Sequence, residues 1–236
     1  MTPPASFLTL CKQAAALCAR RAPLYGIVTL AALGIQAALS FGFHFPHALL
    51  IGSEITLPPI ATIAYVTTAV DAGALQLLPK QRWERILERT WAVIVIDFAL
   101  TLAFAISLSA AAESDLGAVL MGTLALLLVA TLGLAEPIAS VEDGVPAWML
   151  VPRSFARSIS LTWSSGNLSR VLALFAVQLA IEAAALILQQ QLLALRLEAA
   201  IFWANAPLDA LLTIPFAALS MVVYLDCRRR ADDRDR

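Results

Sequence analysis

The segment KQRWERILERTWAVIVIDFALTLAFAISLSA, residues 80–110, decides the fold of this chain. Its first ten residues include four basic side chains, and the next twenty are apolar except for Asp97 and four hydroxyl residues. An apolar helix of about 20 residues is long enough to cross the hydrocarbon core of a bilayer. Basic residues next to such a helix hold its end on the cytoplasmic side. The segment therefore predicts a transmembrane helix that begins at the cytoplasmic face.

The same pattern recurs along the whole sequence. Apolar runs cover roughly 22–40, 50–70, 91–110, 117–136, 170–189 and 207–226. Fifteen of the 16 Lys and Arg residues lie in the two tails and in alternate gaps between these runs, and the remaining gaps hold only Arg196. Because basic residues in short loops stay in the cytoplasm, this alternation predicts a bacterial inner-membrane protein with both termini in the cytoplasm. The predicted fold is all-α: a polytopic helical bundle of six transmembrane helices arranged as three hairpins.

Composition indicates one integral membrane domain over residues 1–236. The chain is 60% hydrophobic and 14% charged, whereas a soluble domain is about 25% charged. Six spans of about 20 residues leave loops that are too short to form a separate soluble domain. The net charge is only −1, but the basic residues are distributed unequally between the two predicted faces of the membrane.

The cytoplasmic segment before each hairpin is amphipathic. In residues 5–21, 80–91 and 153–163, apolar side chains recur at helical spacing, and basic residues lie on other faces. Such helices tend to lie flat in the membrane interface. We therefore expect three units, each an interfacial helix followed by a transmembrane hairpin. The alternative is that these segments are cytoplasmic loops that pack on the bundle.

Polar side chains inside the apolar runs are the candidate functional residues. They are Asp97, Glu54, Glu136, Gln178 and Glu182. An acidic side chain at membrane depth costs about 2.5–3.5 kcal/mol on insertion scales, so it should face the bundle interior. These residues suit a cation or proton path, or contacts with a polar head group. They would equally suit hydrogen bonds that tie helices together, each worth about 1 kcal/mol.

Prolines predict bends in two of the spans. Pro58 and Pro59 lie in the second run, and Pro215 lies in the sixth. Proline removes a backbone donor, so a freed carbonyl needs another partner. The second and sixth runs share a weak similarity in sequence, with Thr56-Leu57-Pro58 in one and Thr213-Ile214-Pro215 in the other. Each of these tripeptides is followed by a tyrosine, Tyr65 in the second run and Tyr224 in the sixth. Corresponding interrupted helices occur in transporters, although they are also common in membrane proteins that do not transport.

Residues 132–230 contain a short series of motif residues: Pro137, Glu142, Gly144, Arg157, Ser158, Gly166, Asn167, Tyr224, Asp226 and Arg228. In these motifs the segment resembles the membrane domain attached to some bacterial glycerophosphodiester phosphodiesterases, and it is similar to stand-alone YciC-type inner-membrane proteins. The phosphodiesterase activity of that group belongs to a separate soluble domain, for which this chain has no room. The resemblance implies a membrane module with no catalytic residue to transfer.

The sequence shows no motif for enzymatic chemistry. It has no nucleophile elbow, phosphate loop, HExxH motif, CxxC pair or dinucleotide fingerprint. His44 and His47 lie in a Phe-rich stretch that suits an interfacial turn better than a metal site. We therefore expect no metal and no cofactor, and nothing in the sequence indicates nucleic acid.

The leading functional hypothesis is a non-enzymatic inner-membrane protein that serves envelope or lipid-related organisation. Its partners would be membrane lipids, another membrane protein or further copies of itself. The alternative is a small transporter or permease subunit that uses the intramembrane carboxylates. A polar cavity that reaches Asp97 would favour transport, and a dry, filled bundle would favour the structural role.

Overall fold

The computed structural model describes the backbone of residues 5–43, 48–111, 123, 127–128, 130–164, 166–194 and 198–233. Side chains are described for most of these residues, but not for Glu54 and Glu182. His44 and His47 lie outside the described residues, as does half of the fourth predicted span, 117–136.

The described chain is helical, which confirms the all-α prediction. Its helices are α1 (Phe7–Arg20), α2 (Ala22–Phe43), α3 (Ala48–Asp71), α4 (Pro79–Ala111), α5 (Ala135–Val141), α6 (Ala147–Trp163), α7 (Leu168–Ala194) and α8 (Glu198–Asp232). No strand occurs among the described residues. Five of the six predicted spans each coincide with one helix of 22 residues or more: α2, α3, α4, α7 and α8.

Length and composition identify fewer crossings than the sequence pattern predicts. Within the described part of the chain, only Leu211–Asp232 is by itself long and apolar enough to span a membrane. Two bent helix pairs are also long and apolar enough when each pair is counted as one segment. They are Phe7–Arg20 with Ala22–Ile35, and Ala147–Trp163 with Leu168–Ile181. This gives one candidate span, or up to three if each bent pair is one span. The six-span arrangement therefore stays a prediction.

The predicted interfacial helix over 80–91 is not a separate element. α4 runs without interruption from Pro79 to Ala111, over 33 residues, so the basic segment and the apolar run form one helix. The physical reason is local, because no glycine or proline lies between Lys80 and Ala110 to end the helix. The prediction of an interfacial helix before every hairpin is wrong for this unit.

The other two amphipathic segments are separate helices. α1 meets α2 at an angle of 76°, and α6 meets α7 at 112°. The apolar stripe of α1 is buried against the bundle, where Leu10, Ala14 and Leu17 join the main core. α1 therefore packs on the protein by that stripe, as the alternative interpretation of these segments expected.

Helices α3 and α8 form the centre of the fold. They pack extensively on each other, and α4 and α2 pack on α3 while α1 and α7 pack on α8. Buried side chains of α3 and α8, such as Tyr65, Met221 and Tyr224, lie in the main core cluster. A smaller cluster joins α4, α5 and α6 through Ile96, Ala139 and Leu150. The interior of the bundle is thus built around the two helices that contain the predicted proline bends.

Pro137, which directly follows the fourth predicted span, 117–136, does not end a helix. It lies in the first turn of the short helix α5, which continues to Val141. Proline is tolerated there because the first backbone N–H groups of a helix have no intrahelical partner.

Candidate functional site

A polar cavity lies inside the bundle, between α3, α4, α5, α7 and α8. It has two lobes of about 280 Å³ and about 180 Å³. Both lobes are lined by the same central side chains: Tyr65, Asp97, Glu136, Gln178 and Phe216. Three of the five predicted polar residues, Asp97, Glu136 and Gln178, are therefore brought together from three different helices.

The two carboxyl groups of the cavity lie close to each other. Glu136 accepts a hydrogen bond from the Tyr65 hydroxyl, with an Oη–Oε2 distance of 2.8 Å. Asp97 lies within electrostatic range of both Glu136 and Tyr65. Asp97 and Gln178 also make interactions of their own within the bundle. Tyr65 thus links α3 to α5 at the point where the two acidic side chains meet.

The larger lobe adds a third acidic residue and an apolar wall. Asp209 lines it together with Leu57, Pro58, Thr213 and Phe216. No Lys, Arg or His lines either lobe among the described residues. Gathering carboxyl groups in one cavity costs free energy unless protons, cations or hydrogen bonds compensate them.

The proline-containing parts of α3 and α8 border this cavity. Pro58 and Thr213 line the larger lobe. Near each proline a threonine hydroxyl donates to a carbonyl one turn earlier, from Thr62 to Pro58 O at 2.8 Å and from Thr213 to Asp209 O at 2.7 Å. Such back-bonding often accompanies bent helices. α3 and α8 nevertheless each continue past their prolines as single helices, and the bend itself stays a prediction.

A layer of ion pairs lies at one end of the bundle, and we call it the charged layer. It joins helix starts to helix ends through four pairs: Arg21–Asp71, Arg85–Asp143, Arg157–Glu142 and Arg170–Asp226. Tyr65 precedes Asp71 by six residues, and Glu136 precedes Glu142 by six. At 1.5 Å per residue, the cavity lies about 9 Å from the charged layer along these helices.

Three of these pairs share one design. In each, an arginine at or near the start of α2, α4 or α7 pairs with an aspartate at the end of α3, just after α5 or in the C-terminal part of α8. The pairs are Arg21–Asp71, Arg85–Asp143 and Arg170–Asp226, whose partners are 50, 58 and 56 residues apart. An equivalent contact therefore joins α2 with α3, α4 with the end of α5, and α7 with α8.

Within the charged layer, Arg85 contacts three different partners. Its guanidinium donates to the carbonyl oxygens of Ser140 at 3.2 Å and Val141 at 2.6 Å, and it also pairs with Asp143. The last carbonyls of a helix have no intrahelical partner. Arg85, which lies on α4, therefore caps the C-terminus of α5. Its position in the amphipathic segment 80–91 did not predict this contact.

The motif residues of the family resemblance converge at the charged layer. Glu142 pairs with Arg157 at 2.6 Å, and Ser158 donates to Thr131 O at 2.8 Å. Asn167 follows Gly166 in the turn before α7, and its amide donates to Leu161 O at 3.0 Å. The remaining motif residues lie on α5, in the turn after it, or near the C-terminus of α8: Pro137, Gly144, Tyr224, Asp226 and Arg228. These residues hold helix ends together and do not line the polar cavity.

Four polar residues that line the cavity are absent from the set of polar residues predicted from the sequence: Tyr65, Thr101, Asp209 and Thr213. Tyr65 and Thr213 enter the sequence prediction only through the similarity between the second and sixth runs, and Thr101 and Asp209 do not enter it as candidates. A polar residue within an apolar run is the signal that could have identified all four. Glu54 and Glu182 lie in α3 and α7, but the placement of their side chains is outside the described residues.

Comparison of the chain with protein-family models, with curated proteins and with solved structures finds no match.

Proposed function

We propose that this chain is a multi-pass inner-membrane protein of the small transporter or permease class, and that it binds a proton or small cation in the polar cavity. The observation that supports the proposal is the convergence of Asp97, Glu136 and Gln178 on one cavity with the Tyr65 hydroxyl. A filled, dry bundle would have favoured the structural role. The predicted spans, with both termini in the cytoplasm, belong to the same proposal.

An exposed apolar stripe on α4 supports the placement in a membrane. It consists of the exposed side chains Trp83, Leu87, Trp91, Ile94, Val95, Phe98 and Leu102. The stripe covers 20 residues, from Trp83 to Leu102, or about 29 Å, and its part from Trp91 onwards lies in the predicted span 91–110. Contiguous apolar surface of this kind is a feature of membrane or protein contacts. Lipid contact along α4 explains why large side chains face outwards while Val93 and Ile96 are buried.

The size of the cavity limits what it holds. Pockets for drug-sized ligands are about 300–1,000 Å³. Each lobe, at about 280 Å³ and about 180 Å³, is smaller than this, and the two together lie at the lower end of the range. A proton, an inorganic cation or a small ammonium ion fits better than a whole lipid.

Currents across a reconstituted membrane test this proposal. The purified full chain is placed in zwitterionic vesicles, and gradients of protons, sodium ions and methylammonium are applied in turn on a solid-supported membrane. We expect a current with at least one of these cations, reduced at least tenfold by Asp97→Asn and by Glu136→Gln. Glu84→Gln is the matched control, because Glu84 is an exposed residue of the same helix as Asp97. The proposal is wrong if no cation gives a current, or if both cavity variants conduct like the wild type.

The leading sequence hypothesis, a non-enzymatic module associated with envelope lipids, remains a second candidate. The outward apolar faces of α4 and α6 favour it, since Trp83, Trp148 and Trp163 are all exposed. Purification in native-lipid particles, with identification of bound lipids and proteins, tests this role. Recovery of the chain with no enriched lipid and no partner would count against it.

A further inference from the structure

Helix α6 presents three distinct faces. Its buried face contacts the bundle through Leu150, Ser154, Ser158, Leu161 and Thr162. A second face is apolar and points outwards, with Trp148, Ile159 and Trp163 exposed by 76%, 44% and 57%. The third face contains Arg153 and Arg157. A helix with one face on protein, one apolar face and one basic face suits a position along the membrane interface.

The basic face of α6 has more positive charge than its carboxylate partner can balance. Arg157 Nε lies 2.6 Å from one oxygen of Glu142, and Arg153 Nε lies 3.9 Å from the other. The Glu142 side chain is 7% exposed, whereas those of Arg157 and Arg153 are 35% and 52% exposed. Each guanidinium has five N–H donors. One buried carboxylate therefore leaves donors of both arginines directed to the outside.

A third arginine reaches the same region from the end of α8. Arg228 lies beside Tyr224, and Tyr224 is within electrostatic range of Arg157 and Glu142. The Tyr224 side chain is fully buried, and its hydroxyl has no well-aligned hydrogen-bond partner among the described residues. Arg228 has one distant acidic neighbour, Asp232, at 3.9 Å. Arg157, Arg228 and Glu142 are thus the charged neighbours of this hydroxyl, and Arg153 lies on the other oxygen of Glu142.

We propose that Arg153, Arg157 and Arg228 bind the phosphate of an anionic phospholipid, while Trp148, Ile159 and Trp163 contact its acyl chains. This inference rests on the proposed membrane placement, but it does not depend on transport through the cavity. Arginine forks match phosphate geometry, and Trp side chains are enriched at membrane interfaces. The apolar face beside the basic face favours a lipid over a soluble anion, because only a lipid would satisfy both.

Thermal unfolding of the full chain in neutral detergent tests this site. The probes are dioctanoyl phosphatidylglycerol, dioctanoyl phosphatidylcholine and inorganic phosphate, each titrated separately. We expect the phosphatidylglycerol to raise the unfolding temperature at concentrations where the other two have no effect. Arg153→Gln should weaken the apparent affinity about fivefold, the loss that corresponds to one basic contact near a lipid surface. Trp163→Ser should weaken it as well, because it removes acyl contacts.

The choice of variants keeps the result decisive. Arg157→Gln would leave Glu142 buried without its nearest partner and is therefore avoided, whereas Arg153 is half-exposed and its pairing distance is longer. Arg229→Gln is the matched control, since it removes the same charge from an exposed arginine next to Arg228, and it should stay within twofold of the wild type.

Two outcomes would overturn the lipid site. One is that inorganic phosphate or phosphatidylcholine stabilises the chain as well as phosphatidylglycerol does. The other is that Arg229→Gln weakens binding as much as Arg153→Gln, which would indicate a response to overall charge. Arg153→Gln should also keep the cation currents of the wild type in zwitterionic vesicles. If phosphatidylglycerol fails to bind while the currents are intact, only the lipid site is refuted. If phosphatidylglycerol binds but no cation gives a current, only the transport proposal is refuted.

Discussion

The contacts of single side chains in the charged layer follow from simple electrostatics. Arg21 binds Asp71 through two hydrogen bonds, of 2.7 Å and 2.6 Å. These bonds stabilise the ionised carboxylate and lower the pKa of Asp71 below its ordinary value. A group with a lowered folded pKa adds stability above its unfolded pKa, and this stability is lost as the pH falls through the folded value.

Asp71→Asn should therefore destabilise the chain in a pH-dependent manner. At pH 7 we expect a loss of about 1 kcal/mol, because Arg21 is partly exposed and solvent weakens the pair. This loss corresponds to about 2–4 °C in unfolding temperature for a chain of this size. The difference from the wild type should begin to shrink as the pH falls below about 4, where Asp71 of the unfolded chain takes up a proton, and it should keep shrinking as the pH approaches the lower pKa of the folded chain.

Unfolding temperatures in detergent from pH 3 to pH 8 measure this difference. Glu84→Gln is the control, since the exposed Lys80–Glu84 pair has an N–O distance of 3.7 Å, and it should change little at any pH. A constant difference between Asp71→Asn and the wild type across this range would contradict the assignment.

Arg85 makes a second prediction at the same scale. Arg85→Lys should destabilise the chain by about 2 kcal/mol or more, because an ammonium group cannot reach Ser140 O, Val141 O and Asp143 together. Arg82→Lys is the matched change on the same helix and should cost less, since Arg82 makes no such cap among the described contacts. Equal unfolding temperatures for Arg85→Lys and the wild type would argue against the capping role.

At the scale of the elements, two turn glycines separate α6 from its neighbours in the chain. Gly144 lies between α5 and α6 with φ of 72°, and Gly166 lies between α6 and α7 with φ of 84°. Positive φ values are strained for residues with a Cβ atom. These glycines allow the chain to leave α5 and to turn into α7.

Gly166→Ala should consequently lower stability by about 1 kcal/mol. Gly26→Ala in α2 is the control, because the added methyl group would meet nothing within 4 Å and alanine favours a helix. It should be neutral or slightly stabilising. Chemical denaturation of both variants in mixed micelles makes the comparison, and equal stability of the two would show that the φ value of Gly166 is not a constraint.

The elements also show what the sequence could and could not predict. Apolar runs located α2, α3, α4, α7 and α8, because hydrophobicity over about 20 residues is a strong signal. The break expected after residue 91 was wrong, since amphipathicity does not end a helix when no glycine or proline is present. The outward direction of Trp163 and the inward direction of Leu10 could not be distinguished, because both lie on equally amphipathic helices and the difference depends on tertiary packing.

On the scale of the whole molecule, polar residues far apart in sequence form one interior site. Asp97 and Glu136 were identifiable as unusual because each interrupts an apolar run. Their meeting was not predictable, since it requires α4 and α5 to face each other across Tyr65. The three recurring Arg–Asp pairs lie at one end of the bundle, next to this site. They join the helices that the sequence pattern predicts to form hairpins.

The central claim is that the chain crosses the membrane six times with both ends in the cytoplasm, so that the cavity lies within the bilayer. Thiol labelling of single-cysteine variants in intact cells tests it most directly, after Cys11, Cys18 and Cys227 are replaced by alanine. With a membrane-impermeant maleimide, Ser114→Cys and Gln190→Cys should be labelled from outside, and Asp233→Cys only after the cells are opened. Labelling of Asp233→Cys in intact cells, or protection of both outer positions, would contradict the six-span arrangement.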